Sequence, residues 1–471
     1  MGKTIVLLEG RVGREEARGW ERKIFRQVCE EGQRKAQMYL DELEEELYES
    51  RAVGWVVVGF RKRVLVTRMG EVHLRRRMYR DESGKCRFLL DEYLGLKAYQ
   101  GATPEMQDLC TKMGGEMSFR KAADTLAEWM AGLLSHSTCW RLLQRTGQEA
   151  VSAESAAVEA VFGRGEVVPE GGERDVERLY MEADGVYVRL QRQSQKHLEL
   201  RSAIAYEGWK RLAGDRGDYQ LCQKRVYCHA GKQFDFWEGV SLAWAHKWDL
   251  SRLKEVIHGG DGARWVRAGP EKFPGAIWQL DSFHLSRSCG RAMGAELGQA
   301  LYQALREGQT ARAQALLLAE DAPERESKQA QQAYRWVSKV AQKGWGLDWR
   351  IRQKVTDDKA RGLGCMEGNI AHLLAVRMKG KGRSWCPSGA RHMAKVRELL
   401  ANQEIQRWCF RQADVEVIPQ KPRIRPRPGN TDPAQFLQAS VPALYGPFPN
   451  RPWVNWLRHL IHPSHLLLMY T

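Results

Sequence analysis

The spacing of apolar residues along the chain changes its period several times. Residues 12–50 place apolar positions among charged ones with the period of a helix, which predicts a helical arm over 1–50. From Val56 the period becomes two, because "VVVGFRKRVLVTRMGEVHLRRRMYR" alternates β-forming and basic residues and turns at Met69-Gly70. We therefore expect a helical arm followed by a basic β-hairpin region over 51–100.

Residues 101–148 return to the helical period and break into three short helices. Thr103-Pro104 opens the first, Ser118 opens the second, and residues 135–138 open the third after a short connection at 131–134. This pattern is typical of a helix-turn-helix DNA-binding domain, although a plain helical bundle shares it. A Gly/Glu-rich stretch over 149–175 predicts a linker.

The segment 176–400 mixes strand and helix periods. Strands are predicted across 179–190, in "HLELRSAIAYEGW" and in "CQKRVYCHA"; a helix through 236–248 and a fourth strand in "RLKEVIHGGDGARW" follow. A fifth strand and a helix start come from "FPGAIWQLDSFHLSR", and 290–345 has a helical pattern almost throughout. The order predicts a mixed α/β sheet with a helical insertion at about 290–345, and a C-terminal tail over 401–471.

Charge narrows the class of partner. The 471 residues include 74 Lys plus Arg against 58 Asp plus Glu, a net charge of +16, which favours a polyanion such as DNA. No apolar stretch is long enough to span a bilayer and no basic amphipathic segment adjoins a hydrophobic anchor, so we expect a cytoplasmic protein without membrane contact. The ten cysteines form no CxxC pair, so no zinc site is assigned.

Residues expected to contact DNA lie in the hairpin, at the start of the third helix, and in the basic stretch 377–383. Positive charge is denser there than solubility requires, and a two-stranded ribbon can lie along a phosphate backbone. Ordinary solvated strands are the alternative for the hairpin. The residues are Arg61, Arg63, Arg75, Arg76, Arg77, Ser137, Arg141, Arg145, Arg377, Lys379, Lys381 and Arg383.

Three carboxylates occupy positions that a sheet of this order would bring together. Asp184 lies in the first core strand, on the same face as Glu182; Asp261, in "IHGGDGARWV", ends the fourth strand; Glu367 begins a helix in "GLGCMEGNIAHLLAV". If the first strand is central and the fourth lies beside it, Asp184 and Asp261 converge, and a divalent cation would relieve their repulsion. We expect Mg²⁺, with Mn²⁺ as the alternative, bound by Asp184, Asp261 and Glu367.

Each acid also has a purely structural interpretation. Asp184 fits a polar strand-end residue, Asp261 a Gly-Asp-Gly turn that caps the next helix, and Glu367 a first-turn glutamate favoured by the helix dipole. Their joint order, interrupted by a helical insertion, favours a nuclease-like site. Two cations held by three acids would activate a water or a DNA 3′-hydroxyl for in-line phosphoryl transfer.

Asp281 and His284 form a second candidate pair in "QLDSFHLSR". Three residues apart at a helix start, they lie on one face and could serve as ligand and base. They could equally brace the site or contact DNA, and Asp281 is the chief rival to Asp261 as an acid.

Several segments together resemble one known family. They are "EADGVYVRLQ" (182–191), "KHLELRSAIAYEGWK" (196–210), "GGDGARWV" (259–266), "FPGAIWQLDSFHLSR" (273–287) and "MEGNIAHLLAVRMKGKGRSW" (366–385), with "VLVTRMGEVHLRRRMYRD" near the N-terminus. They resemble bacterial insertion-sequence transposases of the ISLre type, relatives of the Mutator-like transposases, over most of the chain.

The resemblance implies an RNase H-like core and metal-dependent DNA cleavage and joining at terminal inverted repeats, with insertion into target DNA by a homo-oligomer. By position, the acidic triad falls on Asp184, Asp261 and Glu367. Mutator-like enzymes carry a Cys and a His after the second acid; this chain has His284 but Asp281 at the Cys-like position, which leaves the role of that pair open. The other hypotheses are a non-catalytic DNA-binding regulator or inactive transposase remnant, and a nuclease that cuts without joining.

Overall fold

A computed structural model gives the structure of the protein as a mixed α/β chain with many helices and several small sheets. It describes residues 14–131, 134–166, 172, 174–212, 219–231, 234–273, 275–318, 327–356, 360–380 and 382–410. The predicted C-terminal tail lies outside these residues apart from its first ten. No helix in the described part is both long and apolar enough to cross a membrane.

The N-terminal region is one helix packed on a three-stranded antiparallel sheet. The helix α1 (Arg14–Glu49) is followed by β1 (Val56–Thr67), β2 (Gly70–Arg80) and β3 (Cys86–Arg87). Thr67 pairs with Gly70 across a two-residue turn, one position before the predicted turn. Leu65, Leu74 and Leu43 of α1 share a buried cluster. The predicted helix and hairpin are both confirmed.

Four helices follow: α2 (Leu89–Tyr93), α3 (Pro104–Glu116), α4 (Phe119–Trp129) and α5 (His136–Val158). The last three begin at the predicted residues, because the hydroxyls of Thr103, Ser118 and Ser135 each accept a hydrogen bond from a backbone N–H of the first turn. The helix α5 extends further than predicted. It continues into 149–158 and then a π-helical turn at Glu159–Gly163, where the sequence indicated a linker.

A five-stranded sheet is the centre of the chain. Its strands are β5 (Arg178–Arg189), β6 (His197–Tyr206), β9 (Arg225–His229), β11 (Glu255–Gly260) and β12 (Ala276–Leu280), in the order β12-β11-β5-β6-β9. The pairs β5/β6 and β6/β9 are antiparallel, whereas β5/β11 and β11/β12 are parallel. The first core strand is therefore central and the fourth lies beside it, as the sequence analysis supposed.

Two pairs of short strands flank this sheet. The strands β7 (Gly208–Arg211) and β8 (Tyr219–Cys222) form an antiparallel hairpin, and β4 (Arg174–Asp175) pairs in parallel with β10 (Trp248–Asp249).

Alternation along β5 separates the two faces of the five-stranded sheet. Leu179 and Met181 pack with Trp237 and Trp244 of the helix α6 (Phe236–Ala245) on one face. Tyr180 and its alternate neighbours face a second cluster, to which α5 also contributes. Glu182 and Asp184 share this second face by the period of two, so the sheet positions both carboxyls on one side.

The remaining helices form the predicted insertion and the C-terminal part of the core. The insertion helices share their own buried cluster, which includes Leu285, Leu301 and Val340. In chain order the helices are α7 (Arg264–Arg267), α8 (Ser282–Met293), α9 (Ala295–Arg306), α10 (Thr310–Leu318), α11 (Lys328–Lys343), α12 (Trp349–Arg352), α13 (Met366–Ile370), α14 (Val376–Met378), α15 (Pro387–Ala401) and α16 (Ile405–Cys409). Short 3-10 turns lie at Leu250–Arg252 and Gly269–Lys272, and a π-helical segment at Ala371–Ala375 joins α13 to α14.

Candidate functional site

Asp184 and Asp261 meet where two parallel strands lie side by side. Gly260, the last residue of β11, pairs with Ala183 of β5, so each aspartate is the next residue along its chain. The pKa of Asp184 is raised to about 6, first by burial and then by the negative charges of Asp261 and Glu367; a hydrogen bond from the Gly185 N–H opposes the rise. The structure thus places the first two predicted acids within electrostatic reach of each other.

Gly260 is required for this approach. A Cβ at that position would lie 2.9 Å from the carbonyl oxygen of Ala183 and 2.3 Å from a side-chain carbon of Val266, closer than real Cβ contacts. Asp261 also acts as the turn residue of its structural interpretation, since its Oδ1 accepts a hydrogen bond from the Ala263 N–H at 2.8 Å. The two interpretations of "GGDGA" are therefore compatible: the turn orients the carboxylate beside Asp184.

Glu367 joins the cluster from the first turn of α13. One ligand atom from each of Asp184, His284 and Glu367 lies within 4.8 Å of the other two. Asp184 and His284 are half-buried, whereas Glu367 is exposed. The third predicted acid therefore closes the site from its solvent side.

His284 belongs to the cluster more directly than the sequence indicated. Its Nδ1 lies 3.0 Å from Oδ1 of Asp281, and the same oxygen accepts the His284 backbone N–H at 2.9 Å. This contact with Asp281 is the main cause that raises the pKa of His284, and the negative charges of Asp184 and Asp261 add to the rise. With Nδ1 engaged, Nε2 is the nitrogen left to face a cation.

Asp281 is a buried cap rather than a fourth acid of the cluster. Its side chain is 7% exposed and bonds both the backbone and the ring of His284, while its own N–H donates to the Gly260 carbonyl at 2.8 Å. Asp281 therefore fixes the start of α8 to the end of β11 and orients His284. These contacts favour the bracing role over the role of a rival to Asp261.

Glu182 is a functional candidate whose role is not apparent from the sequence. It is 1% exposed. One carboxylate oxygen accepts the backbone N–H groups of Gly364 at 2.9 Å and Met366 at 3.1 Å, and the other accepts the Tyr206 hydroxyl at 2.7 Å and the Cys365 thiol at 3.0 Å. Burial raises the pKa of Glu182, against the effect of these hydrogen bonds.

Glu182 thus ties the loop before α13 to the strand that carries Asp184. Gly364 in this loop has φ +144°, a backbone conformation that side chains with a Cβ rarely adopt. The signal in the sequence was the spacing of two between Glu182 and Asp184, which gives both the same face. It could not reveal the partner, because that loop lies about 180 residues further along the chain.

The donor set fits a divalent cation. One carboxylate oxygen from each of Asp184 and Glu367 and one imidazole nitrogen of His284 converge at one place, and the negative charge of Asp261 acts on Asp184. Burial first, and then repulsion from Asp261 and Glu367, raises the pKa of Asp184, and a cation would relieve that repulsion. Carboxylate oxygens suit Mg²⁺ and Mn²⁺, whereas an imidazole is more usual in sites for Zn²⁺, Fe²⁺ or Ni²⁺.

The hairpin presents fewer free cations than its sequence indicated. Arg63 and Arg76 both pair with Asp91, and Arg63 also donates to the carbonyl of Gln100 at 3.0 Å. Arg77 pairs with Glu45 at 2.5 Å, and its backbone N–H donates to Glu44. The prediction that these three arginines face DNA needs correction, because they join the sheet to α1 and α2.

Of the five hairpin arginines that were predicted to contact DNA, two keep the predicted exposure. Arg61 and Arg75 are exposed on neighbouring strands, and Arg75 stacks over the ring of Phe60 at 4.4 Å. At the start of α5, Ser137 and Arg141 are exposed as well, whereas Arg145 is half-buried and lies 3.5 Å from Glu149. Of the predicted DNA contacts in these two elements, the exposed cations are therefore Arg61, Arg75 and Arg141.

The basic segment 377–383, after Glu367, also contains both buried and exposed cations. Arg377 is buried and donates to the Gly114 carbonyl at 2.9 Å, which holds α14 against α3; its predicted role in DNA binding is wrong for this reason. Lys379 and Arg383 are exposed, and Arg383 donates to the Lys379 carbonyl at 2.9 Å. Lys381 lies outside the described residues.

Comparison with known proteins finds a family match over nearly the same range of residues that the structure describes. A model of an uncharacterised protein family, UPF0236, matches residues 17–409. A relative from Streptococcus gallolyticus, named "UPF0236 protein in vanSb 3'region", is 26% identical over 75% of this chain and 76% of its own. Two UPF0236 proteins of Caldanaerobacter subterraneus subsp. tengcongensis are each 23% identical, over 74% of this chain and 69% and 70% of their own.

Proposed function

The chain belongs to the uncharacterised protein family UPF0236, and from that premise we propose that it is a DNA transposase. It would cleave and join DNA at the inverted repeats of an insertion sequence with Asp184, Asp261 and Glu367 as its acidic triad. The observation that carries this proposal is the convergence of Asp184, His284 and Glu367 within 4.8 Å, beside Asp261, at one edge of the sheet.

The arrangement of strands supports an RNase H-like core. The central β5 carries the first acid, β11 lies beside it in parallel and precedes the second, and the helical insertion separates the second from the third. Acids on two adjacent strands and one helix are what the resemblance to ISLre-type and Mutator-like transposases leads us to expect. The helices α4 and α5 would serve as the helix-turn-helix of the same proposal.

The chemistry follows from what each side chain can do. A divalent cation at the cluster would supply Lewis acidity to a phosphoryl oxygen and to the attacking hydroxyl. Asp281 orients His284 through Nδ1, and Glu182 holds the loop that carries Glu367. Exposure of Glu367 leaves the solvent side of the cluster accessible to a DNA phosphate.

The name of one relative supports a mobile element. It joins eleven designations within one bacterium, which we interpret as many copies of one gene. A DNA element that directs its own copying produces such a distribution, whereas a regulator of one operon does not. The net charge of +16 suits a polyanionic substrate as well.

The test uses the full chain and labelled DNA that carries the ends flanking its gene. Reactions contain Mg²⁺, Mn²⁺ or EDTA, and the variants are Asp261→Asn and, as a matched control, Asp124→Asn on the exposed surface of α4. We expect metal-dependent nicks and joined products from the wild type and the control, and neither from Asp261→Asn.

Other outcomes would replace the proposal. DNA binding without cleavage in either metal identifies a non-catalytic DNA-binding protein or an inactive remnant. Cleavage without joined products identifies a nuclease. Cleavage that survives Asp261→Asn removes this residue from the active site.

A further inference from the structure

A cavity of about 980 Å³ lies apart from the acidic cluster, on the other side of the loop before α13. Its walls come from the β7–β8 hairpin, that loop, and the connection between α15 and α16. Within the described part of the chain no carboxylate lines it, whereas four cations do: Lys224, Arg225, Lys247 and Arg361. A concave surface with cations and no acids attracts an anion.

Three of these cations form no ion pair with a described carboxylate, although the charges of Glu207 and Glu404 act on Lys247. Arg225 pairs with Glu404 at 2.8 Å, but Lys224, Lys247 and Arg361 make no ion pair with a described acid. Lys224 donates to the side chain of Asn369 at 2.9 Å, and Lys247 donates to a backbone carbonyl at 2.7 Å. Burial, and then repulsion from Arg225, lowers the pKa of Lys247.

The rest of the lining suits nucleotides rather than a bare anion. The guanidinium of Arg361 lies 3.6 Å above the ring of Tyr219, and the Tyr219 side chain is 41% exposed, so part of the ring is available for stacking. Trp209 and amide side chains, among them Gln220 and Asn402, complete the wall. Cations that follow phosphates and an aromatic ring that stacks on a base are the standard elements of single-strand binding.

We propose that this cavity binds a single-stranded segment of DNA of one or two nucleotides. Its volume is at the upper end of the roughly 300–1,000 Å³ of ligand sites, enough for a nucleotide with its phosphates. Cys365 and Asn369 line it and flank Glu367 in the chain, so the cavity and the third acid share the segment 365–369. The inference rests on the proposed function only for the choice of DNA as the polymer.

The experiment measures binding without chemistry. The full chain, in EDTA, is mixed with a fluorescent eight-nucleotide oligo-dT that carries a central 5-iododeoxyuridine for photocrosslinking. The variant Lys224→Ala/Lys247→Ala/Arg361→Ala is compared with Arg252→Ala/Lys254→Ala/Lys272→Ala, which removes three exposed cations outside the cavity. Circular dichroism checks that both variants are folded.

We expect the crosslink to fall on Tyr219 and the cavity variant to bind about 10- to 100-fold more weakly. Loss of three phosphate contacts should reduce the slope of log affinity against log salt by about 2, at roughly 0.7 per contact. The control variant should change the affinity less than twofold.

Three outcomes would overturn the inference. They are equal losses of affinity in both variants, a crosslink that avoids the cavity, and competition by inorganic phosphate or thymidine monophosphate at the concentrations at which the oligonucleotide itself competes. The last outcome would assign the cavity to a free phosphate compound. Because no cleavage is measured, failure here leaves the transposase proposal unaffected, and failure of the cleavage test removes only the reason for choosing DNA as the polymer.

Discussion

Replacement of Glu182 tests whether a buried carboxylate positions the third acid. Glu182→Leu fills a similar volume but removes both oxygens, whereas Glu182→Gln keeps one acceptor and the shape. In Glu182→Leu the backbone N–H groups of Gly364 and Met366 and the hydroxyl of Tyr206 lose their acceptor. These are strong, specific contacts, so the two variants should differ sharply.

The expected loss of stability follows from the number of hydrogen-bond donors that are left without an acceptor. A buried donor without a partner costs about 1–3 kcal/mol, so three such donors make Glu182→Leu less stable by about 3–6 kcal/mol, allowing for partial relaxation. In Glu182→Gln the amide oxygen can accept both backbone N–H groups, while its NH₂ faces Tyr206 and Cys365, which can accept. We expect Glu182→Gln to stay within about 1 kcal/mol of the wild type.

Urea unfolding and Mn²⁺ titration calorimetry measure the two effects separately. If Glu182 positions Glu367, Glu182→Leu should bind Mn²⁺ about 10- to 100-fold more weakly, as removal of a residue that orients a metal ligand does. Glu182→Gln should bind it like the wild type. Where Glu182→Leu does not fold, Tyr206→Phe removes a single donor and supplies the milder comparison.

Two results would refute this reasoning. Normal Mn²⁺ affinity in a destabilised Glu182→Leu would make Glu182 a core polar residue without influence on the site. Equal losses in Glu182→Gln and Glu182→Leu would show that the negative charge, rather than the set of hydrogen bonds, is what matters.

Four further variants test separate parts of the molecule. The pKa of Asp184 is about 6 in the folded protein, above the usual 3.8, so the ionised carboxylate destabilises the fold above pH 6. Asp184→Asn should therefore raise the free energy of unfolding by about 3 kcal/mol in EDTA at pH 7.5, and it should abolish the stabilisation by Mn²⁺ in thermal unfolding. A lower stability of the variant in EDTA would contradict this. Burial lowers the pKa of His258 to about 3, so the unfolded chain takes up a proton at a higher pH than the folded chain does. The free energy of unfolding in urea should therefore fall by about 2 kcal/mol between pH 7.5 and pH 5, and His258→Gln should remove this loss. An unchanged dependence of stability on pH in the variant would refute the prediction. Arg61→Ala/Arg75→Ala should weaken DNA binding about tenfold in fluorescence anisotropy and leave stability unchanged. Arg76→Ala should instead destabilise the fold by about 1–3 kcal/mol, because it removes a partner of Asp91. Equal effects of the two variants on DNA binding would contradict the division into exposed and structural arginines.

Local signals made most of the fold predictable. The helix starts at Thr103, Ser118 and Ser135 depend on side chains within three residues of the N–H groups they cap, and the hairpin depends on a period of two around a short turn. The length of α5 depends on packing instead. A Cβ at Gly147 would lie 2.6 Å from the His392 carbonyl oxygen, so α5 continues along α15 through a contact that no local pattern encodes.

Charge was harder to interpret than hydrophobicity. Arg63 and Arg76 lie in basic runs of the hairpin that read as solvent-facing, but Arg76 has the strand phase of the buried Val72 and Leu74. The partner of both arginines, Asp91, is 28 and 15 residues further along the chain. Arg377 donates to a carbonyl at a separation of 263 residues. A basic residue in one sequence therefore predicts a positive charge but not its exposure, because exposure depends on contacts made elsewhere in the fold.

The candidate site was predictable to the extent that strand order determined it. Asp184 and Asp261 could be brought together from the assumption of a central first strand, because the carboxyl ends of parallel neighbours meet. Glu367 followed from chain order and the resemblance. His284 was underestimated, because its place depends on how Asp281 caps α8 beside the end of β11.

Burial separates the two kinds of acid in this site. Glu182 and Asp281 are buried: Glu182 accepts the backbone N–H groups of Gly364 and Met366, and Asp281 accepts the backbone N–H of His284 and contacts its ring. Asp184 is half-buried and Glu367 is exposed, so both are open enough to bind a cation. Glu182 is two residues from Asp184 on the same strand face, so one strand positions the first acid directly and the third through its loop. A substitution that removes the hydrogen bonds of Glu182, such as Glu182→Leu, should therefore weaken metal binding even though this residue is not among the candidate ligands.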